Sequence, residues 1–195
     1  MDSKTKIAPS DVVFQSVSRQ EFREFFQPSR IVLGVFQNDS ASPVNVITLC
    51  FDMHCSYKPA MFAFAIWRGS HTFTLLDNAT ECVLAVPGER LAQAALLCGT
   101  KSGRDINKIN ACGLTLTKSE KISVPGIGEC IANVEIRIVE KLKAGDHQLV
   151  IGEVLRFGVD PKNHERCLLS VGRNHEGYEV LARGGIHRIG VVQNK

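Results

Sequence analysis

The sequence predicts a mainly β protein with short helices, an antiparallel, Greek-key-like barrel that is closed or nearly closed. Three observations predict it. At least eight apolar segments of strand length follow one another, hairpin punctuation separates them, and the C-terminal half lacks the regular helical crossovers that a parallel sheet needs. A sheet with that many antiparallel strands hides its edges by curling onto itself.

The elements follow in order. Ser18-Arg19-Gln20-Glu21 is a capping box, and Phe22, Phe25 and Phe26 come after it at helical spacing. A short helix is expected there, its Phe face on the core and Pro28 beyond its end. Residues 30–37 (RIVLGVFQ) read as a strand and Asn38-Asp39-Ser40 as a turn. Residues 43–53 (PVNVITLCFDM) read as a second strand and residues 60–67 (AMFAFAIW) as a third. Ser70 caps a helix over residues 72–77, and a buried strand over 81–86 stops at Pro87. Residues 89–98 (ERLAQAALLC) form an amphipathic helix closed by Gly99 in the C-terminal position. Residues 100–110 are polar and turn-rich. A long β run over 129–142 turns at Lys143-Ala144-Gly145-Asp146 into another over 147–159, and shorter strands are expected at 168–171, 178–182 and 186–192. No repeat or linker interrupts the chain, which reads as one domain over residues 1–195.

Composition excludes several classes of function. A chain of 195 residues can bury a core without covalent staples. Its 23 Lys and Arg against 20 Asp and Glu leave a net charge of +3, too balanced to predict a nucleic-acid or anionic-membrane partner. The longest apolar run, 60–67, is far short of the roughly 20 residues of a membrane span. Residues 1–6 (MDSKTK) are polar with no hydrophobic stretch behind them, so no secretory signal is expected. The seven cysteines (50, 55, 82, 98, 112, 130, 167) are odd in number and form no CxxC pair. Reduced, mostly buried thiols in the cytoplasm are therefore expected, and the sequon Asn78-Ala79-Thr80 carries no weight. There is no GxxxxGK[ST]; Gly126-Ile127-Gly128 lacks a third glycine; His164-Glu165 and His175-Glu176 lack the second histidine of a zinc-protease helix. No metal site and no serine-nucleophile elbow is expected.

Two segments suit an anion. In Arg68-Gly69-Ser70-His71-Thr72, hydroxyls and free amides gather at the expected helix start, where the backbone presents unsatisfied donors. Ser70 reads equally as a plain N-cap. Lys101-Ser102-Gly103-Arg104-Asp105-Ile106-Asn107-Lys108 sets three cations and a hydroxyl about a glycine turn, and reads equally as a solvated loop.

Taken jointly, these segments resemble the flavin reductase-like family. Asn45-Val46-Ile47-Thr48-Leu49 is similar to that family's Asn-x-x-Thr strand, and Ser70-His71-Thr72 to its Arg/His-x-Thr turn. Cys98-Gly99 with Ser102-Gly103-Arg104-Asp105-Ile106-Asn107-Lys108-Ile109 resembles its CG…SG-D-DK-F stretch, with Asn107 where an Asp is common. His147-Gln148-Leu149-Val150-Ile151-Gly152-Glu153-Val154 resembles its H-x-L-x-I-G-E-V strand. The resemblance spans residues 30–189 and implies an FMN-binding split β-barrel that forms homodimers.

It further implies FMN as cofactor and NAD(P)H as reductant, with free flavin, a ferric chelate or a redox protein partner as acceptor. Asn45, Thr48, Leu49 and Cys50 would serve the flavin ring; Ser70, His71, Thr72, Ser102, Gly103, Arg104 and Lys108 would serve its phosphate side. No catalytic residue is nominated, because the cofactor carries the chemistry. Short flavin reductases carry a Y-H-x-G-x-Y strand whose histidine lies by the nicotinamide. This chain has Leu169-Ser170-Val171-Gly172-Arg173 there, Val171 taking the histidine's place and Tyr178 following later. It is thus closer to the flavoredoxin or ferric-reductase-like branch, and a non-catalytic electron carrier reduced by a partner protein is the alternative reading. Trp67 reads as cleft, or as core or dimer contact, Cys50 as ring neighbour or packing, His147 as a structural hydrogen bond, and His187 and Arg188 as reaching a partner subunit's cofactor or as a polar rim.

Overall fold

The computed structural model describes residues 13–173 and 175–194; the polar segment 1–6 lies outside them. Helix α1 (Arg19–Glu24) leads into β1 (Ser29–Arg30), β2 (Val32–Phe36), β3 (Asn45–Leu49), β4 (Asp52–Tyr57) and β5 (Ala60–Trp67). Helix α2 (His71–Leu75) connects to β6 (Glu81–Val86), which a 3-10 turn (Glu89–Leu91) joins to α3 (Ala92–Thr100) and then α4 (Lys108–Cys112). The ribbon of β7 (Leu116–Thr117) and β8 (Gly126–Ile127) precedes the long hairpin of β9 (Ala132–Ala144) and β10 (His147–Val159). Strands β11 (Leu169–Ser170), β12 (Tyr178–Gly184) and β13 (His187–Val192) follow.

A seven-stranded antiparallel sheet runs β3-β2-β6-β9-β10-β5-β4, and a four-stranded one runs β1-β11-β13-β12. Strands β3 and β4 adjoin in the chain yet occupy opposite edges of the larger sheet, with only Cys50 and Phe51 between them. That is possible only if the sheet curls until its edges meet, and Phe51 O there accepts the amide of Ala65 on β5 at 2.9 Å. The mainly β, antiparallel split barrel is therefore the fold. The single strand expected over 43–53 is corrected to two. Its β-prone letters conceal the corner: β3 buries its side chains, whereas Phe51 and Met53 beyond it are apolar yet exposed.

Strands β2 and β6 are buried on both faces. Val32, Phe36, Cys82 and Leu84 fill the barrel with Phe64, Ile66, Ile136 and Val150. Leu33, Val35, Val83 and Ala85 face outward, where Ala92, Ala95 and Cys98 of α3 and Ile189 and Val191 of β13 cover them. Each fully buried aliphatic or aromatic side chain there contributes about 1.5–3 kcal/mol.

Four further expectations are corrected. Helix α1 forms with its capping box intact, Ser18 Oγ accepting from Glu21 N and Glu21 Oε2 from Ser18 N. Phe22, Phe25 and Phe26 nevertheless stay exposed, since no described element of this chain lies over their face. Gly99 does not end its helix: α3 runs to Thr100 and Lys101 is the cap residue. Gly99 instead lets α3 lie close on β3, where a Cβ would stand 3.2 Å from that of Thr48. The turn-rich segment conceals α4, which Asn107 caps through Asn110 N and Gly113 ends at φ +62°. Of the cysteines, all of them free, Cys82, Cys98 and Cys130 are buried, Cys50 and Cys112 are half-buried, and Cys55 and Cys167 are exposed, so fewer are buried than expected. Among the described residues no helix is long and apolar enough to cross a membrane, and no cluster of His, Cys, Asp and Glu suits a metal ion.

Candidate functional site

The two anion-suited segments meet at the start of edge strand β3. Asn45 is buried, and its Nδ2 donates to the buried hydroxyl of Thr72 at 2.8 Å, pinning α2 to the strand. Gly103 closes over the same point: a Cβ there would lie 2.2 Å from Asn45 Oδ1 and 2.8 Å from His71 Cδ2. Only glycine lets the loop approach so closely. Ser70 Oγ accepts Phe73 N, which leaves the amides of His71 and Thr72 at the helix's open end. Ser102 holds its loop in a turn, Oγ accepting Arg104 N and the carbonyl accepting Asp105 N and Ile106 N. Burial and then the charges of Arg104 and Lys108 hold the His71 pKa below its ordinary value. The result is a shallow cradle of amides, a hydroxyl, an imidazole and a guanidinium, with no carboxylate paired to Arg104 among the described residues.

Asn45, Ser70, His71, Thr72, Ser102, Gly103 and Arg104 thus come together, whereas the other four expected site residues turn inward. Thr48 donates its hydroxyl proton to Ala95 O of α3 at 2.6 Å. Leu49 lies in the barrel core. Cys50 packs against the outer core, and burial, with help from Asp52, pushes its thiol up to about 11. Lys108 is 5% exposed and donates to Val46 O at 2.8 Å and Cys98 O at 2.7 Å, locking edge strand to helix end. Burial lowers its pKa. An ammonium has three donors, so one remains. With these side chains committed, β3 offers its backbone: Val46 O points away from β2, toward Lys108, and ladder alternation turns the peptide groups of Thr48 the same way.

The remaining candidates scatter. Trp67 is 56% exposed at the end of β5 with its indole over Gly69, and Arg68 stacks on Phe73 at 5.4 Å. His147 bonds Asp146 at 2.7 Å and meets the Phe51 ring at 5.6 Å. His187 and Arg188 line a groove against α1 that includes Arg23 and Arg173. Sequence reading missed Arg23 and Arg173, because residues about 150 positions apart form the groove and no local spacing announces them.

Residues 28–179 match the sequence profile described as "Flavin reductase like domain". The chain belongs to the flavin reductase-like family. It is 36% identical over 132 residues to an uncharacterized protein of Archaeoglobus fulgidus, covering 68% of this chain and 73% of that one. With an uncharacterized protein of Pyrococcus abyssi it shares 34% identity over 102 residues, 52% of this chain and 58% of the other. Solved structures share the fold at lower identity. An FMN-binding protein of Thermus thermophilus superposes with a TM-score of 0.70 at 17% identity, covering 98% of this chain and 99% of that one. The flavoredoxin of Desulfovibrio vulgaris gives 0.66 at 19%, covering 74% and 82%. The NADH:FAD oxidoreductase of Streptomyces globisporus gives 0.68 at 16%, covering 83% and 88%.

Proposed function

We propose that this family member binds FMN along the open edge of β3 and works as an NAD(P)H-dependent oxidoreductase. The carrying observation is the convergence of Asn45, His71, Thr72, Gly103 and Arg104 at one end of that edge. In this reading the cradle holds the ribityl phosphate: amides of His71 and Thr72 and the Arg104 guanidinium donate to it, and the close approach of Gly103 gives the pocket its floor. The exposed peptide edge at Thr48 faces the ring, and Lys108 keeps that edge in register with α3. When bound, FMN supplies the redox chemistry, taking a hydride from NAD(P)H and passing electrons to free flavin, a ferric chelate or a protein acceptor.

A homodimer belongs to the same reading. Met53, Trp67 and Leu142 stand exposed on one face of the β4-β5-β10-β9 sheet, around Ala65, Leu149 and Ile151. An apolar face of that width suits a second copy. The reading also takes residues 1–195 as one domain acting in the cytoplasm, where seven free thiols are at home.

Fluorescence titration tests the site. FMN should bind at least about tenfold tighter than riboflavin, which lacks the phosphate, since one charge-assisted hydrogen bond is worth that much. Equal affinities, or no binding of either, overturn the assignment. The second reading, a flavin-bound electron carrier that a partner protein reduces, is favoured by Val171: it is buried and apolar where short flavin reductases place a histidine. Slow reduction by both pyridine nucleotides would select it.

A further inference from the structure

The groove between α1 and the second sheet has two adjoining chambers, and each has a different chemistry. The smaller, about 120 Å³, is walled by Arg23, Arg173 and Arg188, with Glu24 as its one carboxylate. Glu24 is engaged already: its Oε2 accepts the Arg173 amide at 2.6 Å, and its Oε1 stands 4.0 Å from Arg173 Nε. Arg23 and Arg188 have no carboxylate within ion-pair distance among the described residues; Arg188 reaches only Gly172 O, at 3.5 Å. The chamber thus carries uncompensated guanidinium charge, whose planar donors match phosphate oxygens. The larger chamber, about 320 Å³, shares Glu24, Gln27 and Arg173 with the first and is otherwise faced by Pro28, Val171, Glu176 and Tyr178. Its volume falls in the ordinary range for ligand sites, roughly 300–1,000 Å³. A chamber with Tyr178, Pro28 and Val171 in its wall, beside an arginine-walled one, is the outline of a planar base carrying a phosphate.

The groove lies at the end of β3 opposite the Asn45 cradle. Ser170 in its wall pairs with Ser29, and Val32, three residues on, pairs with Leu49 at the last position of β3. Arg23 is close enough for its charge to reach Cys50, the next residue. A ligand along the β3 edge with its phosphate at Asn45 would therefore direct its other end toward this groove.

We propose that the groove is a second phosphate-binding site, for a phosphorylated nucleoside: the base lies against Tyr178, Pro28 and Val171, and the phosphate is held by Arg23, Arg173 and Arg188. Resting on the flavin reading above, this makes it the seat of the nicotinamide dinucleotide's phosphates. Those are either the 2′-phosphate that distinguishes NADPH or the diphosphate common to both dinucleotides.

Calorimetry on the full chain saturated with FMN, which keeps the first cradle filled, separates these sources. Either 2′,5′-ADP or ADP should bind at least about tenfold tighter than adenosine, the worth of one charge-assisted contact. Tighter 2′,5′-ADP assigns the site to the 2′-phosphate, and tighter ADP to the diphosphate. Arg23→Gln, on the exposed helix, and Arg188→Gln should each remove most of that preference, while Lys143→Gln in the β9–β10 hairpin controls for net charge. Adenosine binding as tightly as both nucleotides, or arginine variants that bind like the parent, overturns the proposal. The same titrations without FMN keep the two readings apart. Failure to bind FMN refutes the flavin site, and the Arg188-dependent nucleotide preference then stands or falls by itself. Normal FMN binding without a nucleotide preference refutes the groove alone.

Discussion

Lys108 is a buried ammonium that two backbone carbonyls, not a carboxylate, hold in place. Removing it leaves Val46 O and Cys98 O without their donor between strand and helix. Lys108→Met should cost on the order of 3 kcal/mol in urea unfolding, because two charge-assisted bonds are lost and two shielded acceptors are stranded. FMN binding should weaken with it, as β3 loses its lock on α3. Gly103→Ala should act the other way round, sparing the fold and weakening FMN at least about tenfold, because its Cβ would press on Asn45 and His71 at the cradle itself. His71 gives a pH signature. Its folded pKa lies below the ordinary value, so on acidification the unfolded chain takes the proton first and stability falls between the ordinary and the folded pKa. A bound phosphate reverses the local field and favours the imidazolium. Compared with His71→Gln, the parent should therefore gain FMN affinity as pH falls through that window, beyond the phosphate's own titration; parallel pH profiles would contradict the contact. The residue types of this cradle were legible in the sequence, but side-chain direction was not. Thr48 and Lys108 look like ligand donors in a string of letters and become internal braces only once α3 is laid across β3.

Elements with a clean period were read most accurately. Residues 60–67, 81–86 and 147–159 are strands to the residue, since each is an uninterrupted β-prone run ended by a turn or Pro87. The misreadings fall where tertiary contact overrides local pattern. Barrel closure breaks 43–53 at Cys50-Phe51, strand contact draws Gly99 into α3, and α4 is too short for its own apolar period to show. Helix α1 obeys its capping box yet leaves three Phe rings uncovered. At this scale the exposed face of β4, β5, β9 and β10 carries a prediction. Trp67→Arg and Leu142→Arg should each shift sedimentation from dimer toward monomer, with little change in the circular dichroism of the isolated barrel, because neither side chain belongs to the core. A parent protein that sediments as a monomer would contradict the pairing.

Across the whole molecule, the split barrel sets a cradle and an arginine-walled groove at the two ends of one edge strand, and closure of the sheet at Cys50-Phe51 fixes their spacing. A ligand held there should brace β3, α2 and α3 together. FMN at a hundred times its Kd should add about 2.7 kcal/mol, raising Tm by roughly 5–10 °C for a chain of this length. The measurement that bears most directly on the account is an anaerobic absorbance spectrum of the FMN-saturated, gel-filtered protein, before and after NADH and NADPH are added separately. The visible flavin band should travel with the protein and bleach promptly with one of the two donors. A band that stays would leave flavin binding intact and make a partner protein the reductant; a colourless protein peak would contradict the central claim.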